Sequence, residues 1–81
     1  MTKTEIAARE KRLASMKLTL HWTTCQRDAC KACVLEQMDF CDTNEERANL
    51  MESRYFQNQL RRLRQLENKV YNLTRRISLY E

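Results

Sequence analysis

Neither glycine nor proline occurs anywhere in the 81 residues of this chain. Glycine supplies left-handed turn positions and proline breaks helices, so tight hairpins and sheet-rich folds lose the residues on which they depend. A chain this short forms one domain at most, and folded alone it is only marginally stable without a staple, a metal or a partner. The sequence therefore predicts an all-α fold with an additional source of stability.

Charge and hydropathy narrow the class of protein. Charged residues make up 32% of the chain and the mean hydropathy is -0.79, and no apolar run reaches the roughly 18 to 20 residues of a membrane span. Basic residues outnumber acidic ones five to two in residues 1–20 and eight to five in 43–81, whereas acids lead four to two in 21–42. An excess this modest favours a protein partner over nucleic acid.

The first twenty residues contain no continuous apolar core, and Glu5 and Glu10 lie among their bases. Such a segment resembles neither a secretory signal nor a mitochondrial presequence. We therefore predict a cytoplasmic protein. Disulfide formation would instead indicate the mitochondrial intermembrane space or another oxidising compartment.

Residues 1–42 are predicted to form a helical, cysteine-containing head. Thr2 and Glu5 fit a capping box at the start of a first helix. Apolar residues then recur at helical spacing, namely Ile6, Leu13, Met16 and Leu20. We expect this helix to end near Thr23–Thr24, and a short second helix to begin at Asp28 and end at Cys41.

Residues 43–81 are predicted to form one long amphipathic coiled-coil helix. The segment DTNEE, residues 42–46, combines a cap with acidic first-turn residues. Nothing interrupts the helix between Asn44 and Glu81, a length of roughly 55 Å. A helix this long needs a partner for its apolar seam.

That seam follows a heptad. Its members are Phe56, Leu63, Val70 and Ile77 at position a, and Leu66, Leu73 and Tyr80 at d, with polar Gln59 at the remaining d position. Branched residues at a with leucine at d favour a parallel two-stranded coiled coil, so the leading prediction is a homodimer through these residues. The alternative is that the seam packs against the first helix of the same chain.

The segment RQLENKVYNL, residues 64–73, resembles the zipper part of leucine-zipper proteins. The resemblance covers ten of the 81 residues and implies a coiled coil. The residues before it lack the clustered bases of a DNA-reading basic region, so it does not imply a transcription factor.

The segment CQRDACKACVLEQMDFC, residues 25–41, contains all four cysteines. Cys30 and Cys33 lie one helical turn apart, and His21 and Cys25 form an i, i+4 pair. Thiolate and imidazole ligands in this number suit tetrahedral zinc. We predict a zinc site formed by Cys25, Cys30, Cys33 and Cys41, with His21 as the alternative fourth ligand, borne on helices because no glycine follows the CxxC pair.

Three other uses of the cysteines remain open. They can simply pack into a core, because cysteine is among the most buried residue types. They can form disulfides that join two helices, as an even count allows. The spacing C-x4-C-x2-C also matches the opening of plant-type ferredoxins, although the fourth cysteine there lies much farther along the chain.

Catalytic signatures are missing from the sequence. His21 is the sole histidine, and no glycine-rich phosphate loop exists. A redox CxxC pair of the thioredoxin kind needs a neighbouring sheet. We predict a non-enzymatic adaptor or regulator, with Trp22 covering the cysteine cluster. The alternatives are a disulfide-stapled structural or assembly subunit of a large complex, and a weak nucleic-acid-binding regulator that uses Arg61, Arg64 and Arg75.

Overall fold

The computed structural model describes residues 2–81, and within that range it contains helices only. They are α1 (Lys3–Asp39), α2 (Asn44–Glu52) and α3 (Arg54–Tyr80). Helices α1 and α3 pack against each other in an antiparallel hairpin that measures 63 × 17 × 15 Å. The predicted all-α fold with a long C-terminal helix is confirmed. None of the helices in residues 2–81 is long and apolar enough to cross a membrane.

Helix α1 begins as predicted but ends much later. Thr2 Oγ1 accepts a hydrogen bond from the backbone of Glu5, whose carboxylate accepts one from the backbone of Thr2, so the capping box is confirmed. The predicted end at Thr23–Thr24 and the separate helix from Asp28 are wrong. Thr23 bonds back to the carbonyl of Thr19 at 2.7 Å, which satisfies its hydroxyl inside the helix instead of at a cap.

The continuity of α1 has a physical basis in a heptad that polar residues obscure. Its inward positions alternate by three and four residues and are buried or half-buried along the helix: Leu13, Met16, Leu20, Thr23, Arg27, Cys30, Val34 and Gln37. Four of these eight residues are polar or cysteine, so hydropathy alone does not reveal the stripe. The stripe is the surface that α1 turns toward α3.

The C-terminal part of the chain is not one unbroken helix from Asn44, as predicted. Ser53 has an extended backbone (φ -65°, ψ 125°) and separates α2 from α3. Its backbone N–H donates to Leu50, the last turn of α2, while its Oγ accepts from the N–H of Phe56 in the first turn of α3. A single serine therefore caps both helices, which replaces the glycine that helix ends often use.

The core lies along the α1–α3 interface. Phe56 is fully buried, and Val34, Leu73 and Ile77 are buried with it. The other predicted seam residues, Leu63, Leu66, Val70 and Tyr80, are half-buried. In this structure the seam of α3 thus packs against α1 of the same chain, the arrangement that was the alternative to a parallel dimer.

Candidate functional site on helix α1

The four cysteines all belong to one arm of the hairpin, helix α1 and the residues just after it. Cys25, Cys30 and Cys33 lie in α1, and Cys41 follows its end, whereas α2 and α3 contain no cysteine. All four are free thiols; Cys25 is exposed and the other three are half-buried. A disulfide within the chain therefore has no partner on α3, and the predicted staple between two helices does not fit this hairpin.

Cys30 and Cys33 face α3 at the polar position of its heptad. The thiol of Cys30 donates to the backbone carbonyl of Gln59 at 3.6 Å, and the side-chain amide of Gln59 donates to Cys33 Sγ at 3.4 Å. Gln37 also donates to Cys33 Sγ at 3.5 Å and hydrogen-bonds the Gln59 side-chain oxygen. Sulfur is a weak donor and acceptor, so each thiol contact alone is modest.

We call Cys30, Cys33, Gln37 and Gln59 the polar layer. Cys41 extends it toward the connection between α1 and α2, because its thiol donates to the carbonyl of Gln37 at 3.6 Å. Polar residues at a seam position cost some stability and fix which residues face each other. The polar layer therefore specifies the register of the hairpin near its connected end.

Cys25 and His21 lie on the outside of the hairpin. The predicted i, i+4 pair is present, with His21 Nε2 3.9 Å from Cys25 Sγ. Trp22 makes an edge contact with the His21 ring, with 5.4 Å between ring centroids, and is 60% exposed. The prediction that Trp22 covers the cysteine cluster is wrong, because Trp22 precedes Cys30 and Cys33 by eight and eleven residues in a continuous helix, roughly 12 and 16 Å along its axis.

The predicted zinc ligands are not gathered at one point. Five residues separate Cys25 from Cys30, which places their side chains about 140° apart around the helix axis. Among the residues described, no three His, Cys, Asp or Glu side chains are grouped so that they could hold a metal ion. Cys30 and Cys33 share one side, His21 and Cys25 another, and Cys41 lies beside Gln37. Zinc binding stays a prediction.

A second cluster, absent from the sequence-based prediction, closes the open end of the hairpin. Arg12 donates to the Tyr80 hydroxyl at 3.3 Å, and Arg9 donates to the Tyr80 carbonyl at 3.2 Å with its guanidinium 5.5 Å from the ring centroid. The hydrogen bond from Arg12, followed by its charge, lowers the pKa of Tyr80. Lys17 pairs with Glu81 at 2.9 Å beside this cluster. The sequence signal that could have predicted this cluster is the pair Arg9 and Arg12, which lie one helical turn apart beside the inward residue Leu13.

The candidate polyanion-binding residues lie on the other helix. Arg61, Arg64 and Arg75 are exposed on α3, as a surface that contacts nucleic acid requires. Exposure is equally expected of a solvated charged helix face. Nucleic-acid binding therefore stays a prediction.

Comparison with known proteins identifies no family. No protein-family model, curated protein or solved structure significantly matches this chain.

Proposed function

We propose that this chain is a small non-enzymatic interaction protein, an adaptor or regulator that acts in the cytoplasm by binding another macromolecule. The observation that carries the proposal is the distribution of its large apolar side chains. Within residues 2–81, four hydrophobic residues are buried, and they are outnumbered by the large apolar side chains that are at least 44% exposed. The exposed ones are Ile6, Leu18, Trp22, Leu35, Met38, Phe40, Met51, Tyr55, Tyr71 and Leu79. Scattered exposed hydrophobics are ordinary, whereas exposed apolar residues that follow each other along one helix face, as Leu18 and Trp22 do on α1, favour a binding surface.

The shape of the hairpin supports the same proposal. Two helices side by side give a cross-section of only 17 × 15 Å over a length of 63 Å. Nearly every side chain is then close to solvent, so the chain has much surface and little interior. An elongated helical surface suits recognition through rows of side chains at helical spacing.

Homodimerisation is part of the proposal, and the seam of α3 is not the best surface for it. Phe56, Leu73 and Ile77 are already buried in the hairpin. A parallel dimer through these residues requires α1 to leave them, which exposes the apolar side of α1 as well. A dimer that keeps the hairpin closed needs a different face.

A structural or assembly subunit is the second candidate. The elongated hairpin suits a role in which one rod lies along a large complex. The disulfide that this candidate function includes is less well supported than the elongated shape, because α3 contains no cysteine that could bond to one in α1. Oxidation state distinguishes the two candidates, since four free thiols in the purified protein favour the adaptor or regulator.

The experiment that tests the proposed function is cross-linking of the tagged chain in its native cells, followed by mass spectrometry. We expect cross-links to at least one other macromolecule, and we expect Phe40→Ser with Tyr55→Ser to reduce them because these side chains are 75% and 66% exposed. The matched control is Asn68→Ser with Asn72→Ser, which alters exposed polar positions on α3. Equal loss in both variants, or cross-links between copies of this chain alone, contradicts the adaptor proposal.

A further inference from the structure

Helix α1 has a second apolar face that points away from α3. We call it the outer stripe, and its members, all exposed, follow each other at alternating steps of four and three residues: Leu18, Trp22, Cys25, Ala29 and Ala32. This alternation is the spacing of a helix–helix contact surface. Leu18 is 58% exposed and Trp22 is 60% exposed, although both are large and apolar.

Helix α3 has no such second face. From residue 58 to residue 75 its corresponding outward positions are exposed and polar: Asn58, Arg61, Gln65, Asn68, Asn72 and Arg75. Leu79 is a single exposed apolar residue at the end of that row. One face of α3 is thus apolar and the opposite face is suited to water. Of these two helices, only α1 therefore has a row of exposed apolar residues that contacts no other part of the chain.

We propose that the outer stripe binds the outer stripe of a second copy of this chain, with the two α1 helices antiparallel and a two-fold axis beside Cys25. The hairpin stays closed in this dimer, because the inward side of α1 keeps its contacts with α3. The product is a bundle of four helices with two α1 helices at its centre. An isologous interface of this kind is the commonest way in which a chain pairs with itself.

Side-chain size fits the antiparallel pairing. An axis beside Cys25 brings Leu18 of each copy opposite Ala32 of the other, and His21 opposite Ala29. Leu18 and His21 then each meet an alanine, so the two helices can approach closely at these positions. Trp22 comes opposite Asp28, whose Oδ1 already accepts from Arg27 and whose second carboxylate oxygen can accept from the indole N–H.

Charge favours the antiparallel direction over the parallel one. Residues 1–20 contain five bases and two acids, whereas residues 21–42 contain two bases and four acids. Antiparallel pairing brings the positive half of each α1 against the negative half of the other, and it brings Lys11 opposite Asp39. Parallel pairing would instead bring Lys11 against Lys11 and Asp39 against Asp39, which is unfavourable.

This inference names one partner of the proposed interaction protein and rests on that proposal. The two can fail separately. Sedimentation of the pure protein tests the dimer, whereas cross-linking in cells tests binding to another macromolecule.

Analytical ultracentrifugation of the wild type and two variants tests the surface. We expect the wild type to be a dimer and Trp22→Glu to be a monomer with an unchanged helical circular dichroism signal, because Trp22 is exposed in the hairpin. Asn68→Glu places the same charge on the outward face of α3 and should remain a dimer. A monomeric wild type, or a dimer that survives Trp22→Glu, overturns the inference. The outer stripe would then be a surface for binding a different protein.

A short thiol cross-linker tests the direction of pairing. In the wild type we expect a Cys25–Cys25 link between copies, identified by peptide mapping, since Cys25 is the exposed cysteine. In Leu18→Cys with Cys25→Ser, the two new thiols lie about 21 Å apart along an antiparallel pair, so no link between them should form. Links at both positions indicate a parallel pair, and links at neither indicate another interface; either result overturns the inference.

Discussion

The side-chain amide of Gln59 donates a hydrogen bond to Cys33 Sγ at 3.4 Å across the interface between α1 and α3. Gln59 is the polar member of an otherwise apolar heptad, and Cys33 belongs to the CxxC pair. The contact pairs the polar position of the α3 heptad with the CxxC segment of α1. The polar layer therefore fixes which residues of the two helices face each other.

Replacing the two glutamines of the polar layer tests whether that layer stabilises the hairpin. Gln59→Ala should cost about 1 kcal/mol of unfolding free energy, because it removes the half-buried hydrogen bonds of the Gln59 side chain to Gln37 and to Cys33 Sγ. Gln37→Leu with Gln59→Leu should restore or exceed wild-type stability, since neither polar group then remains unpaired. Urea denaturation followed by circular dichroism measures both. A double variant less stable than Gln59→Ala would show that the layer itself stabilises the hairpin.

Phe56 should be the most sensitive apolar position of α3. It is fully buried, so Phe56→Ala removes its ring from the core and should cost about 3 to 5 kcal/mol. A chain of this size has little stability to spare, so the expected result is loss of the cooperative thermal transition. The neighbouring Tyr55→Ala is the control, because a 66% exposed side chain should change stability by no more than about 0.5 kcal/mol. Equal losses of stability in Phe56→Ala and Tyr55→Ala would contradict the described orientation of α3, in which Phe56 faces α1 and Tyr55 faces solvent.

Tyr80 should ionise at a lower pH than an ordinary tyrosine. The hydrogen bond and charge of Arg12 lower its pKa from the usual 10.0. A depressed pKa in the folded chain means that the unfolded chain binds more protons in the window just below pH 10.0, so stability rises with pH there. The benefit is complete above the unfolded pKa and is lost as pH falls through the folded pKa.

Ultraviolet titration of Tyr55→Phe with Tyr71→Phe, which leaves Tyr80 as the single tyrosine, measures this pKa. Adding Arg12→Gln should return it toward the ordinary value, because the donor and its charge are both removed. Arg9→Gln should have a smaller effect, since the charge of Arg9 is the lesser cause of the lowering. An unshifted pKa in the parent variant would mean that the open end of the hairpin is frayed.

Zinc binding and an intact α1 should exclude each other if the predicted ligands act together. Cys25 lies about 140° around the helix axis from Cys30 and roughly 12 Å along the axis from Cys33, so one ion held by these cysteines and Cys41 or His21 requires α1 to bend or unwind between them. We expect occupation of this set, at one zinc per chain, to reduce helical circular dichroism and to protect four thiols from alkylation if Cys41 is the fourth ligand, or three if His21 is. Cys30→Ser should abolish both effects. Zinc bound with unchanged helicity would contradict this ligand set.

Local sequence signals determined the helical class and several helix boundaries. The absence of glycine and proline, the capping box at Thr2 and Glu5, and the heptad from Phe56 to Tyr80 all act between residues close in the chain. Such interactions can be recognised from spacing alone. The serine that divides α2 from α3 escaped prediction, because serine is common inside helices and its capping role depends on the backbone angles it adopts.

Tertiary structure alone decided what covers the seam and where the cysteines point. An apolar heptad needs a partner but does not specify which one, and the inward stripe of α1 was hidden by Thr23, Arg27 and Gln37. The same continuous helix turned Cys25 outward and Cys30 and Cys33 toward Gln59. Spacing fixes the angle between side chains only when the backbone between them is known to be helical, and that depended on packing against α3.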